Sequence, residues 1–171
     1  MDKKGIVIAG FAGIGKTTLA KKYKNVIDIE SSPYKYDYSG LDKSNLEVLK
    51  GRSNRIRNKD FPMNYITAIK EAIETFDYVL VWIHPEEILP IYDENEIDYL
   101  LAFPEKEALE EYEKRFRDRG NNSEYINRVL SNYDLRYSQF TESKHEKIIL
   151  QCGETLEDAM IRLGAELKTK D

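Results

Sequence analysis

Hydrophobic positions along this chain switch between unbroken apolar runs and helical spacing, and the switch points predict its elements. Ile6-Val7-Ile8-Ala9 is apolar without interruption and reads as a strand covered on both faces. After a glycine-rich turn, helical spacing runs from Lys16 to about Lys24. Val26 to Glu30 predicts a second strand, with Ile27 and Ile29 on one face and Asp28 and Glu30 on the other, ended by Ser31-Ser32-Pro33. Tyr34 to Lys59 is the least regular part. It suggests a short helix over Lys43 to Lys50, closed by Gly51, and then a basic segment of Arg52, Arg55, Arg57 and Lys59. Phe61-Pro62 opens an amphipathic helix to about Thr75, with Ile66, Ile69, Ile73 and Phe76 as its buried stripe.

The second half continues the alternation. Tyr78 to Ile83 is a continuous apolar strand, and His84-Pro85 starts a short helix that Pro90 is expected to disrupt. Asp98 to Phe103 makes a fourth strand, stopped by Pro104, and Glu105 to Arg119 a helix ended by Gly120. On that helix Glu110 with Lys114, Glu111 with Arg115 and Glu113 with Arg117 are acid-first pairs four apart, the mark of a solvated face. No acid stands four residues before Arg119, although a cation is favourable at a helix C-terminus anyway. Asn122 or Ser123 caps a helix to about Gln139, with Ile126, Val129, Leu130, Tyr133 and Tyr137 along one side. Lys147 to Gln151 is a fifth strand. Thr155 with Asp158 forms a capping box that opens a last helix to about Leu163, and the tail from Lys168 to Asp171 is expected to fray. Strands and helices alternating without linker or repeat predict one three-layer α/β domain over residues 1–171.

Composition narrows the class of ligand. A net charge of −5 argues against a general nucleic-acid binder, so any polyanionic ligand must be met by a local cluster of positive groups. Cys152, the single cysteine, excludes an intrachain disulfide, and it is expected to lie in a buried strand as a small apolar residue rather than a nucleophile. No charged leader precedes an apolar segment of signal-peptide length, and no apolar run is long enough to cross a bilayer. The expectation is a cytoplasmic protein without a membrane partner.

The chemistry concentrates in the first turn. Gly10, Gly15, Lys16 and Thr17 complete the phosphate-binding signature GxxxxGK[ST], placed as it must be between a buried strand and a helix. Glycines there let the backbone approach an anion closely, so that the N–H groups from Gly10 through Ala12, Gly13, Ile14, Gly15 and on to Thr18 can point at phosphates. Lys16 would reach the β- and γ-phosphate oxygens, and the Thr17 hydroxyl would ligate Mg²⁺. The usual metal-holding aspartate at the carboxyl end of the third strand is missing, because Trp82-Ile83-His84 occupies that end while Asp77 sits at the other. Asp28 or Glu30 becomes the substitute candidate, since open α/β sheets bind ligands at the carboxyl ends of their strands. His84 would lie at that same edge, as a ligand contact or as a cap of the following helix. Asp37-x-x-Gly40 imitates a GTPase element, but without an NKxD motif it reads as coincidence.

The blocks GFAGIGKTT, DIESSPY, FPMNYI, WIHPEEI, LLAFPEKEALEEYEKRFRDRG and LQCGETLEDAM, in this order over nearly the whole length, resemble P-loop kinases of the nucleoside monophosphate kinase type. Within that type the chain is most similar to small phage and prophage nucleotide kinases. The resemblance implies a five-stranded parallel sheet ordered 2-3-1-4-5. It also implies transfer of the γ-phosphoryl group of ATP, with Mg²⁺, to a small nucleotide acceptor, a nucleoside monophosphate first. A basic lid over about 112–123 would bring Arg115 and Arg119 to the phosphates, and Gly153-Glu154-Thr155 would lie near the adenine. The acceptor would meet Ser31, Ser32, His84 and an insertion over about 34–60, with Arg52, Arg55 or Arg57 gripping its phosphate. Asp28 or Glu30 would orient the metal, or act as a base if the acceptor is a hydroxyl. Two alternatives stay open: a kinase of a nucleoside or other hydroxyl acceptor, and a regulatory module that binds ATP without turnover.

Overall fold

A central strand whose every residue but the first is buried sets the plan of the computed structural model, which describes residues 4–37 and 55–171. The chain begins with β1 (Ile6–Gly10), α1 (Lys16–Lys22), β2 (Val26–Asp28), α2 (Ser32–Lys35) and β3 (Tyr36–Asp37). It resumes with β4 (Ile56–Arg57), α3 (Met63–Ile73), β5 (Tyr78–Trp82), α4 (Leu89–Glu94) and β6 (Tyr99–Pro104). After a 3₁₀ turn at Lys106–Ala108 come α5 (Leu109–Asp118), α6 (Ser123–Leu130), α7 (Tyr133–Glu142), β7 (Lys147–Leu150) and α8 (Leu156–Arg162). The expected helix over Lys43 to Lys50, Gly51, Arg52 and Gly40 lie outside the described residues.

Five strands form one parallel sheet in the order β2-β5-β1-β6-β7, flanked by helices. This differs from the expected 2-3-1-4-5 because β3 and β4 intervene in the chain and pair with each other in a separate antiparallel ribbon. The five sheet strands taken alone succeed one another as second, third, first, fourth and fifth. Val7, Ile8, Ala9, Val79, Leu80, Val81, Leu101, Ala102 and Phe103 are each at most 2% exposed, so the central strands are covered on both faces and their sequence runs lack alternation for that reason. Register places Gly10 beside Trp82 on one side and Ala102 on the other, so three strand ends open onto the same edge.

Several local expectations give way to tertiary context. Pro33 and Pro90 stop nothing: each sits in the first turn of a helix, α2 and α4, where a missing N–H costs no hydrogen bond. Pro104 is the last residue of β6 rather than its terminator. The single helix expected from Asn122 to Gln139 is two, broken at Ser131-Asn132. The break lets Tyr133 turn inward, where its hydroxyl donates to the Pro104 carbonyl and its ring meets Phe11 edge-on at 5.0 Å. The tail does not fray. Lys24 N–H donates to the Lys168 carbonyl at 2.8 Å, Lys168 N–H to Asn25 Oδ1 at 2.9 Å, and Lys170 N–H to the Lys22 carbonyl at 3.0 Å. Cys152 is exposed, just past the end of β7, with its N–H held by Glu105 Oε1 at 2.7 Å.

Candidate functional site

The turn from β1 into α1 is shaped by backbone that only glycine adopts easily. Gly13 has φ 77° and Gly15 φ 100°, both left-handed. Gly10 is needed for space, since a Cβ there would lie 2.8 Å from Ile14 Cδ1 and 3.0 Å from Lys16 Cδ. Ile14 itself is fully buried, and its carbonyl accepts from Leu156 N–H at 2.8 Å. Phe11 N–H is tied to the Ala102 carbonyl at 2.8 Å. Lys16 Nζ folds back across the turn and donates to the carbonyls of Gly10 (2.7 Å) and Phe11 (3.0 Å). The result is a closed loop with a cation drawn over it, and Thr17 and Thr18 exposed beside it.

Asp28 and Glu30 both reach this place, in different states. Thr17 Oγ1 donates to Asp28 Oδ2 at 2.6 Å, while Asp28 Oδ1 is buried with no hydrogen-bond partner among the described residues. Glu30 lies beyond the end of β2 and is exposed. No three His, Cys, Asp or Glu side chains cluster as a metal site among the described residues. A Mg²⁺-like ion, which binds through few protein oxygens together with phosphates and water, fits what is there: a hydroxyl and an unsatisfied carboxylate oxygen side by side. Asp77 is engaged at the opposite end of β5, with Asn25 at 2.9 Å and Lys168 at 3.0 Å.

From this loop a cavity of about 740 Å³ runs along the sheet edge. Among the described residues, seven Lys or Arg side chains line it against four Asp or Glu, a positive lining in a protein of net charge −5. Field focused in such a cleft attracts anions despite the overall sign. On the α5 side, Arg115 donates to the Gly13 carbonyl at 3.1 Å, lies over the Tyr112 ring at 4.5 Å and pairs with Glu111 at 3.6 Å. Arg119 and Arg128 line the cavity with it. The solvated face expected for this helix therefore holds for Arg117, which pairs with Glu113 at 2.8 Å and does not reach the cavity, and fails for Arg115. Burial pushes the Tyr112 hydroxyl pKa up to about 12, with the neighbouring Arg115 guanidinium pulling the other way. Gly120, at φ 83°, makes the joint between α5 and α6.

Ser31, Ser32, Lys35, Arg55, Trp82 and His84 also line the cavity. Tyr65 braces this wall: its hydroxyl donates to the Ile29 carbonyl at 2.7 Å and accepts from Trp82 N–H at 2.9 Å. Arg55 stacks on Tyr36 at 3.8 Å. Arg57, expected at the acceptor, is turned away; it pairs with Glu87 at 3.0 Å, covers Phe61 at 5.4 Å and does not line the cavity. His84 both lines the cavity and holds its turn, since Nδ1 accepts from Glu87 N–H at 3.2 Å. Burial, and then the Arg136 guanidinium beside it, push the His84 pKa below its ordinary value.

Lys16, Thr17, Asp28, Glu30, Ser31, Ser32, Arg55, His84, Arg115 and Arg119, nominated from scattered stretches, thus share one cavity. Gly153 and Glu154 do not line it. Gly153 N–H donates to Glu111 Oε2 at 2.9 Å, Glu154 pairs with Arg162 at 2.8 Å, and Thr155 caps α8 through a capping box with Asp158. Lys35, Glu87, Arg128 and Arg136 line the cavity without having been nominated. The only available signal for Arg136 was the helix break at Ser131-Asn132, which redirects α7 toward the cavity. No family model matches this chain, and no curated protein matches it significantly.

Proposed function

We propose that the chain is an ATP-dependent phosphotransferase that moves the γ-phosphoryl group to a small nucleotide acceptor, a nucleoside monophosphate. The observation that carries this reading is the signature loop Gly10–Thr17 opening onto a positively lined cavity of about 740 Å³. Phosphoryl transfer asks a protein mainly to align donor and acceptor and to neutralise charge on the moving group. Loop N–H groups and Lys16, released from its own carbonyls, bind the donor phosphates. Arg115 and Arg119 approach from α5 and its C-terminal end. Mg²⁺, held by Thr17 Oγ1 and by Asp28 directly or through water, would supply charge neutralisation between the phosphates. The cavity wall that carries Ser31, Ser32, Arg55 and His84 orients the acceptor.

A monophosphate acceptor is already ionised and needs no base. The orphaned Asp28 Oδ1 supports a second reading, a hydroxyl acceptor whose proton Asp28 accepts. The two separate in one assay. Protein, ATP and Mg²⁺ are incubated with nucleosides and nucleoside monophosphates, and ADP is measured with the matching phosphorylated product. ATP binding with no acceptor-dependent ADP leaves only a regulatory ATP-binding module. Lys16→Ala is expected to abolish ATP binding while leaving the fold intact.

A further inference from the structure

Two cations that line the cavity are each gripped by one of two consecutive carboxylates. Lys35 Nζ of α2 lies 2.7 Å from Glu87 Oε1, and Arg136 NH1 of α7 lies 2.8 Å from Glu86 Oε2. His84 joins the two pairs: its Nδ1 accepts from Glu87 N–H, and its Nε2 is 3.4 Å from Arg136 NH2. Elements about a hundred residues apart in sequence thus converge on the loop after β5.

The acids and cations are not placed alike. Lys35 and Arg136 both line the cavity, with side chains only 11% and 21% exposed, whereas Glu86 is 59% exposed and does not line it. Glu86 therefore holds Arg136 from outside, assisted by Gln139 at 3.1 Å. Glu87 is shared between Lys35 and Arg57, so among the described residues three cations around this loop share two carboxylates. A pair serving stability alone gains little by holding a desolvated cation at a cavity wall. A pair that presents a cation to an anionic ligand gains a preformed contact.

We propose that Lys35 and Arg136 form the anion subsite of the acceptor, taking a phosphomonoester, with Glu86 and Glu87 as the positioning residues that aim them. The inference rests on reading the cavity as a two-substrate phosphotransfer site. Arg136 supplies the planar fork that matches two phosphate oxygens, and Lys35 a point charge. The subsite replaces Arg57, which the structure turns away.

Trp82 makes the test direct, because it is the only tryptophan and Lys35 Nζ stands 4.4 Å above its ring. The full chain is titrated with nucleoside 5′-monophosphates and with the matching nucleosides, followed by Trp82 fluorescence and by calorimetry. At least one monophosphate is expected to bind about tenfold or more tighter than its nucleoside, the scale of one charge-assisted contact. Arg136→Ala and Lys35→Ala should each erase most of that preference while ATP affinity stays within about twofold. Arg136→Lys should keep part of it, and Glu86→Gln should weaken it about threefold without touching the cavity wall. Thermal melts identify a variant that fails to fold, in which case Glu86→Gln carries the comparison. No preference in the wild type, or a preference surviving in folded Arg136→Ala and Lys35→Ala, overturns the subsite. A preference without any ATP-dependent transfer leaves the subsite standing and removes the phosphotransfer reading instead.

Discussion

Asp28→Asn separates a catalytic carboxylate from a structural one, because the two roles predict opposite changes in stability and activity. In the native protein Asp28 Oδ2 accepts the Thr17 hydroxyl at 2.6 Å, and Oδ1 is buried without a hydrogen-bond partner among the described residues. A hydrogen bond to a charged acceptor contributes about 1.5–3 kcal/mol and a neutral one about 1 kcal/mol, so the isosteric amide loses roughly 1 kcal/mol at Thr17. Against that, the amide still buries one polar atom there, so what is recovered is only the difference between a charged and a neutral orphan, about 1 kcal/mol. The two nearly cancel, and the melting temperature is expected to stay within about 4 °C of the native value for a chain of this size. If Asp28 steadies a divalent ion or takes a proton, ATP-dependent transfer falls by about a hundredfold or more, with ATP binding retained in the absence of metal. Differential scanning calorimetry and a coupled ADP assay read the two quantities on the same sample. A variant that melts several degrees lower while turning over at the wild-type rate would refute the argument, because Asp28 would then be a strut for Thr17 and nothing more.

Three further outcomes follow from the same geometry. Gly13→Ala combines a left-handed φ with a Cβ 2.9 Å from buried Phe116 Cε1, so it should cost roughly 2–4 kcal/mol in chemical denaturation and weaken ATP binding with it; an unchanged midpoint would show that the turn can relax. His84, surrounded by Arg136, Lys35, Glu86, Glu87 and its own burial, has a lowered pKa, so below about pH 6.5 the unfolded chain takes a proton that the native site resists. Stability should therefore be greatest above that pH and fall as the pH drops toward the lowered native value, and urea midpoints for His84→Gln should lose that component of the slope. Thr155→Ala removes the cap of α8 and should cost about 1 kcal/mol by thermal denaturation, with ATP affinity little changed because Thr155 points at Asp158 rather than into the cavity; a large loss of ATP affinity would count against that placement.

How far the site could be read in advance depended on which signals are local. β1, β5 and β6 are legible because burial on both faces writes itself into consecutive residues, and the loop is legible because Gly13 and Gly15 answer a backbone requirement at their own positions. Pro33 and Pro90 mislead, since a proline that ends a helix and one that begins it differ only in what the neighbouring chain does. Cys152 misleads for a related reason: two residues past the last ladder pair, the chain has already left the core. Charge is the least local signal of all. Glu111 and Arg115 satisfy the spacing of a solvated pair, and they do pair, yet Arg115 also reaches the Gly13 carbonyl about a hundred residues away in sequence. Spacing along a helix fixes which side chains can meet on its surface, but it carries no information about what that surface is packed against. Arg136 makes the same point from the other direction, for nothing near it in sequence pairs with it as Glu86 does, fifty residues upstream. A cation that serves a ligand is for this reason found by asking which acid holds it and from which side, and at the His84–Glu87 loop the acid behind and the cavity in front answer together.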